Sequence, residues 1–141
     1  MSTLLDTNVV SELMRESPEP SVARWVSGHP VEDLFLSAVS EAELRYGAAI
    51  LPMGRRRETL FFKIEAMLRD AFEDRVLPFD GDAARAYGQI AAARRSAGRP
   101  VASADCQIAA IAAARRMRMA TRNVRDFEDM GIEIVDPWAG A

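Results

Sequence analysis

Three acidic residues stand where the chain is expected to turn from an apolar run into a helix. Asp6 follows Thr3-Leu4-Leu5 and opens the string Asp6-Thr7-Asn8-Val9-Val10-Ser11-Glu12-Leu13. Glu43 lies in Ser40-Glu41-Ala42-Glu43-Leu44, and Asp105 in Ser103-Ala104-Asp105-Cys106-Gln107. Each is expected in the first turn of its helix. Each also has an ordinary explanation: Asp6 as an N-cap, Ser40 with Glu43 as a capping box, Asp105 as a complement to the positive end of its helix. Capping does not require the three to meet. If the fold gathers them, they repel one another unless a cation offsets their charge, and an all-oxygen donor set suits Mg²⁺ or Mn²⁺ rather than zinc or copper. The chemistry implied is metal-assisted hydrolysis of a phosphodiester.

The elements that must position them follow from periodicity and punctuation. Strands are expected at Ser2 to Leu5, Leu34 to Ser37, Val76 to Phe79, Met117 to Thr121 and Ile132 to Val135. Between them lie helices at Thr7 to Arg15, Pro20 to Ser27, after Ser40, Arg55 to Arg75, Asp80 to Ser96 and Ser103 to Arg116, with a short helix after Asn123. The helix from Arg55 carries Leu60, Phe61, Ile64, Met67, Leu68 and Phe72 at amphipathic spacing, and Gly98 with Pro100 ends the next one, which runs to Ser96. Strands alternating with helices imply an α/β fold: one domain over residues 1–141, a parallel sheet of about five short strands with helices on both faces. In such sheets ligands gather beyond the carboxyl ends of the strands. The tail Pro137 to Ala141 is the one candidate for disorder.

Bulk properties narrow the classes. The 141 residues, 49% hydrophobic and 28% charged, fit one globular core. No apolar run approaches the roughly 20 residues a membrane helix needs, and Met1-Ser2-Thr3 carries no basic leader, so no membrane association and a cytoplasmic location are expected. Cys106 is the single cysteine, which excludes an intrachain disulfide and a thiolate cluster and reads as a small buried hydrophobe. His29 is the single histidine, in a loop, where it reads as solvated. The net charge of −3 does not advertise a nucleic-acid binder, yet every basic residue except Lys63 is arginine. Clusters at Arg55-Arg56-Arg57, Arg94-Arg95 with Arg99, Arg115-Arg116 with Arg118, and Arg122 with Arg125 read either as an RNA-facing rim or as solvated helix faces.

Four strings together resemble one family. Leu4-Leu5-Asp6-Thr7-Asn8-Val9-Val10-Ser11-Glu12, Ser37 to Gly47, Ala104 to Ala110, and Ala120-Thr121-Arg122-Asn123-Val124-Arg125-Asp126-Phe127 are similar, in order, to the motifs of the PIN-domain family, closest to VapC-type toxins and their FitB-like branch. The resemblance implies a Mg²⁺-dependent endoribonuclease, with Mn²⁺ as a substitute, held inactive by a cognate antitoxin protein and commonly a homodimer within a larger assembly. It makes Asp6 and Asp105 metal ligands, with Glu43 completing the acidic triad directly or through water. The family's fourth acidic position falls on Asn123, whose amide orients a water or ligand without adding charge. Asp126, one turn further, reads as solvated or capping.

Thr7, Asn8, Ser103 and Thr121 stand beside these residues as hydrogen-bond supports or as caps. Arg45 and Arg122 are candidates for substrate phosphate. Tyr46 and the helix from Arg55 suit dimer or antitoxin contacts, and Trp25 and Trp138 read as packing residues. Two other functions compete. In one, the chain acts mainly as a binding component of an antitoxin complex that represses its own promoter, and the fourth position at Asn123 leaves that open. An aspartyl phosphatase would need a second acid two residues after Asp6, where Asn8 stands.

Overall fold

The computed structural model describes residues 1–139. The described residues form a five-stranded, wholly parallel sheet in the order β3-β2-β1-β4-β5, as the alternating pattern predicts. The strands are β1 (Thr3–Leu5), β2 (Leu34–Ser37), β3 (Val76–Leu77), β4 (Arg118–Ala120) and β5 (Ile134–Val135). The helices are α1 (Thr7–Leu13), α2 (Pro20–Ser27), α3 (Ala38–Ala49), α4 (Arg55–Ala71), α5 (Gly81–Ser96) and α6 (Ser103–Ala114). The elements fall where the sequence places them, several a few residues shorter at their ends.

Alternation of side chains along the strands builds two cores. Leu4 and Met119 point to one face, into Ile90, Ile108, Ile111 and Phe127; Leu5 and Ala120, one residue on, point to the other, into Val9, Leu36, Ile64 and Phe72. Each fully buried Leu or Ile contributes about 1.5–3 kcal/mol. The α6 helix is buried along Cys106, Ile108, Ala109, Ala110, Ile111 and Ala112, and Cys106 packs as a small hydrophobe.

Strand order fixes where function can sit. From β1 the chain moves outward to β2 and β3, then returns to lay β4 on the opposite side of β1. The carboxyl ends of β1 and β4 therefore flank the reversal point, where an open α/β sheet leaves a crevice. Asp6 follows β1 and Thr121 follows β4. No helix of the described residues is long and apolar enough to cross a membrane.

Three local expectations change. Ser37, not Ser40, caps α3: its hydroxyl accepts the Ser40 N–H at 2.9 Å. His29 is fixed rather than solvated, since Arg118 donates to Nε2 at 2.7 Å and Nδ1 donates to the Trp25 carbonyl at 2.6 Å, which selects the neutral ring protonated at Nδ1. Of the expected disordered tail, Pro137 is buried and the Trp138 N–H donates to Asp136 Oδ1 at 2.9 Å, while residues 140–141 lie outside the described residues.

An acidic cleft at the sheet's reversal point

The site is assembled from the ends of β1 and β4 and the starts of three helices. Asp6 is the N-cap of α1, 3% exposed. Its Oδ1 accepts the Thr7 N–H at 2.8 Å and its Oδ2 accepts the Thr121 hydroxyl at 2.7 Å. Thr121, fully buried, also accepts the Asn123 N–H at 3.0 Å and the Asn8 amide at 3.4 Å. One threonine thus ties the first motif to the last.

Because the cap of α3 falls on Ser37, Glu43 is not in a capping box but in the second turn, turned toward Asp6. Thr7 donates its hydroxyl to Glu43 Oε1 at 2.6 Å. A hydroxyl has one proton to give, so the 2.8 Å contact between Thr7 and Ser40 is completed by the Ser40 hydroxyl. Asp105 stands in the first turn of α6, whose N-cap Ala102 makes no side-chain capping bond. Ser103, expected as that cap, instead meets the Tyr87 hydroxyl at 3.4 Å.

Asp6, Glu43, Asp105 and Asn123 line one cleft of about 550 Å³, together with Asn8, Arg15, Arg122 and Trp138. The electrostatics show the crowding. Burial, then Asp6, Glu43 and Asp126, push the Asp105 carboxyl up to about 6. Asp6 is raised chiefly by burial, against the Thr121 and Thr7 hydrogen bonds, and further by Glu43 and Asp126. Asp126 is exposed but close enough for its charge to act on both, so a fourth carboxylate is near although Asn123 takes the motif position. Asn123 occupies the cap position of the short 3₁₀ turn Val124–Phe127 without a side-chain capping bond, leaving its amide toward the cleft. Among the described residues, no three acidic, His or Cys side chains are drawn together into a ready-made cation cage. They surround a shared space in which only oxygen donors are offered.

Nearly the whole chain matches known proteins. The sequence model of the PIN domain matches residues 3–133. The chain belongs to the PIN-domain family. This PIN domain is 41% identical over 138 residues to "VapC ribonuclease Y4jK" of Sinorhizobium fredii, covering 98% of this chain and 99% of that protein. It is 38% identical to "Toxin FitB" of Neisseria gonorrhoeae, covering 96% and 97%. Its fold overlays a chain in the "Structure of FitAB bound to IR36 DNA fragment" with a TM-score of 0.90 at 38% identity, covering 96% of this chain and 95% of that one.

Other sequence expectations at this PIN-domain site separate. Thr7 and Thr121 hydrogen-bond the carboxylates, Asn8 reaches only Thr121 and the Arg122 N–H, and Ser103 bonds none of them. Arg45 is held between Glu41, at 2.7 Å, and Glu65 of α4, and so is committed to the α3–α4 contact rather than to the cleft. Arg94 is not on a basic rim: it is 6% exposed, and its guanidinium donates to the carbonyls of Arg99, Asp126 and Glu128 at 2.8, 3.1 and 2.8 Å. It pins the segment that carries Asn123 and Asp126. Sequence reasoning also passed over Glu12, 7% exposed on the cleft wall, which accepts the Glu19 N–H at 3.0 Å and pairs with Arg15 at 3.0 Å. The signal for it was its place two turns after Asp6 on the same helix.

Proposed function

We propose that this PIN domain is a Mg²⁺-dependent endoribonuclease acting as the toxin of a toxin–antitoxin pair, with Asp6, Glu43 and Asp105 as its site carboxylates. The observation that carries the reading is the gathering of Asp6, Glu43 and Asp105 on one cleft at the reversal point of the sheet, where burial first and the neighbouring carboxylates second raise Asp105 to about 6. The oxygen-only donors fit a hard divalent cation, with Asp6 and Asp105 as ligands and Glu43 beside them or acting through water. When bound there, Mg²⁺ or Mn²⁺ would supply Lewis acidity to a water and to the scissile phosphate, and offset charge on the leaving 3′ oxygen.

The chain's own residues orient and support. Thr121 and the Thr7 N–H fix both oxygens of Asp6, and the Thr7 hydroxyl fixes Glu43, so two of the three carboxylates keep their geometry without side-chain search. Asn123 offers an uncharged amide oxygen to a water or ligand. The cleft is broad and open, which favours a strand whose phosphates are splayed out over a closed duplex. Similarity to a VapC ribonuclease supports RNA as substrate.

Two apolar surfaces support the partners. A groove of about 520 Å³ between α1, α2 and α4 exposes Phe62 and Val31 and shares Arg15 with the acidic cleft, which suits an antitoxin segment ending beside the site. Tyr46, Ile50 and Met53, 67%, 62% and 85% exposed at the far end of α3, suit a homodimer contact. The second reading, a mainly DNA-bound regulatory complex, draws on the similarity to a chain of the FitAB complex on DNA. Purified, partner-free protein assayed on RNA with Mg²⁺, beside Asp6→Asn and Asp105→Asn, separates the two. The proposal expects cation-dependent cleavage in the parent alone; equal cleavage by all three proteins refutes it.

A further inference from the structure

The chain has two tryptophans, and each has an arginine over its ring. At Trp25 the Arg118 guanidinium carbon is 5.7 Å from the ring centroid, and its donors are spent inside the fold, on Thr3 at 2.6 Å and on His29 at 2.7 Å. The His29 ring also sits 4.2 Å from that of Trp25. This pair is closed. At Trp138 the Arg122 guanidinium carbon is 5.3 Å from the ring centroid, and both residues line the acidic cleft. This pair is open.

Both members are anchored through their backbones. The Trp138 N–H donates to Asp136 Oδ1 at 2.9 Å, the following Ala139 N–H donates to the Asp136 carbonyl at 3.1 Å, and the partly buried Trp138 packs against the core cluster that includes Leu5 and Val22. The Arg122 N–H donates to Asn8 Oδ1 at 3.4 Å, next to Thr121, which binds Asp6. Arg122 is exposed, and among the described residues no carboxylate pairs with it within 4 Å, whereas Arg15 has one such partner and Arg45 and Arg99 have two each. An arginine beside a cluster of acids that pairs with none of them keeps its donors for an anion. A half-exposed indole on the same rim supplies a π-face, and both groups stack with bases.

We propose that Trp138 and Arg122 form a nucleotide subsite on the rim of the acidic cleft, the indole stacking on one base of single-stranded RNA and the guanidinium holding that nucleotide's phosphate. The subsite rests on the ribonuclease reading of the cleft and deepens it by naming what positions the strand. Stacking tolerates any base, so this contact sets register on the strand rather than sequence. Trp138 and Arg122 are positioning residues; they do not touch the reacting atoms.

The test uses the full chain, freed of partners. The first arm follows tryptophan fluorescence on adding a 2′-O-methyl RNA oligonucleotide, which resists cleavage, and a matching abasic strand. Quenching is expected with the base-bearing strand, reduced with the abasic one, retained in Trp25→Phe and lost in Trp138→Phe. The second arm measures KM and kcat on single-stranded RNA with Mg²⁺. Trp138→Ala should raise KM by about 10-fold or more with a smaller change in kcat, Trp138→Phe should keep most of the affinity, and Arg122→Ala should lower the salt dependence of binding by about one phosphate contact. Unchanged KM in folded Trp138→Ala, or quenching that survives in Trp138→Phe, overturns the subsite. Should Trp138→Ala not fold, the Trp138→Phe fluorescence and the Arg122→Ala salt slope decide alone. Base-dependent quenching without any cleavage keeps the subsite and refutes the nuclease; metal-dependent cleavage indifferent to Trp138 does the reverse.

Discussion

The Thr121 hydroxyl donates to Asp6 Oδ2 at 2.7 Å, across 115 residues of sequence, and both side chains are buried. The bond joins the carboxyl ends of β1 and β4, the two strands that flank the reversal of the sheet, so fold topology and site geometry meet in one contact. Replacing Thr121 by Val keeps the shape and removes the hydroxyl. It leaves the Asn123 N–H and one Asp6 oxygen without their partner, at a cost of about 1–3 kcal/mol. Thermal unfolding should record that loss, and RNA cleavage should fall more than stability does. A variant as stable and as active as the parent would show that Thr121 does not hold Asp6 for function.

The pH response of the cation-free protein has a definite sign. Folding raises the Asp105 carboxyl to about 6, so between its ordinary value and about 6 the folded protein holds a proton that the unfolded chain has released. This group therefore stabilises the fold at low pH and ceases to do so as pH rises through about 6. Asp6, also raised, acts in the same direction. In chelator, unfolding experiments should show stability gained on going from about pH 8 to about pH 5. The gain should shrink in Asp105→Asn to the part that Asp6 contributes, and diminish in the parent with saturating Mg²⁺, which replaces the proton as the source of positive charge. A parent and an Asp105→Asn variant with the same pH profile would contradict the crowding.

Much of this was legible in the sequence. Strand and helix order, the parallel sheet and the joining of Asp6, Glu43 and Asp105 in one cleft follow from apolar runs separated by helix-starting signals. What escaped were choices between near-equivalent partners. Ser37 and Ser40 stand three apart and either can cap a helix; only the strand that ends at Ser37 decides, and it sets how far into α3 Glu43 lies. Arg94, Arg118 and Arg122 are alike in sequence, yet one is buried against carbonyls, one is locked to His29 and one faces the cleft. The fates of Arg94 and Arg118 depend on contacts 34 and 89 residues away, which a local pattern does not encode.

Arg94 is the buried arginine that the clusters concealed. Arg94→Ala removes a charge-assisted donor from three carbonyls and should cost about 2–4 kcal/mol, with hydrogen exchange rising first in residues 123–129. Arg94→Lys should recover only part, because an ammonium cannot span the three acceptors as a planar fork does. Exchange that accelerates uniformly across the chain would contradict a local role.

Arg116 ends α6 with φ of 54°, in the left-handed region, while Met117 donates to the Ala112 carbonyl at 2.9 Å and Arg116 to Ala113 at 3.2 Å. Gly98 does the same work after α5 without a side chain. Arg116→Gly should raise stability by about 0.5–1 kcal/mol in denaturant unfolding, with no change in cleavage. A loss of stability would mean that the Arg116 side chain contributes more than its backbone conformation costs.

The central claim is that the three carboxylates share a divalent cation. Calorimetric titration of Mn²⁺ into partner-free protein measures this without reference to any substrate. Saturable binding to the parent, abolished in Asp105→Asn and in Asp6→Asn and weakened in Glu43→Gln, is the predicted result. Binding of equal affinity in the parent and in all three folded variants would contradict it.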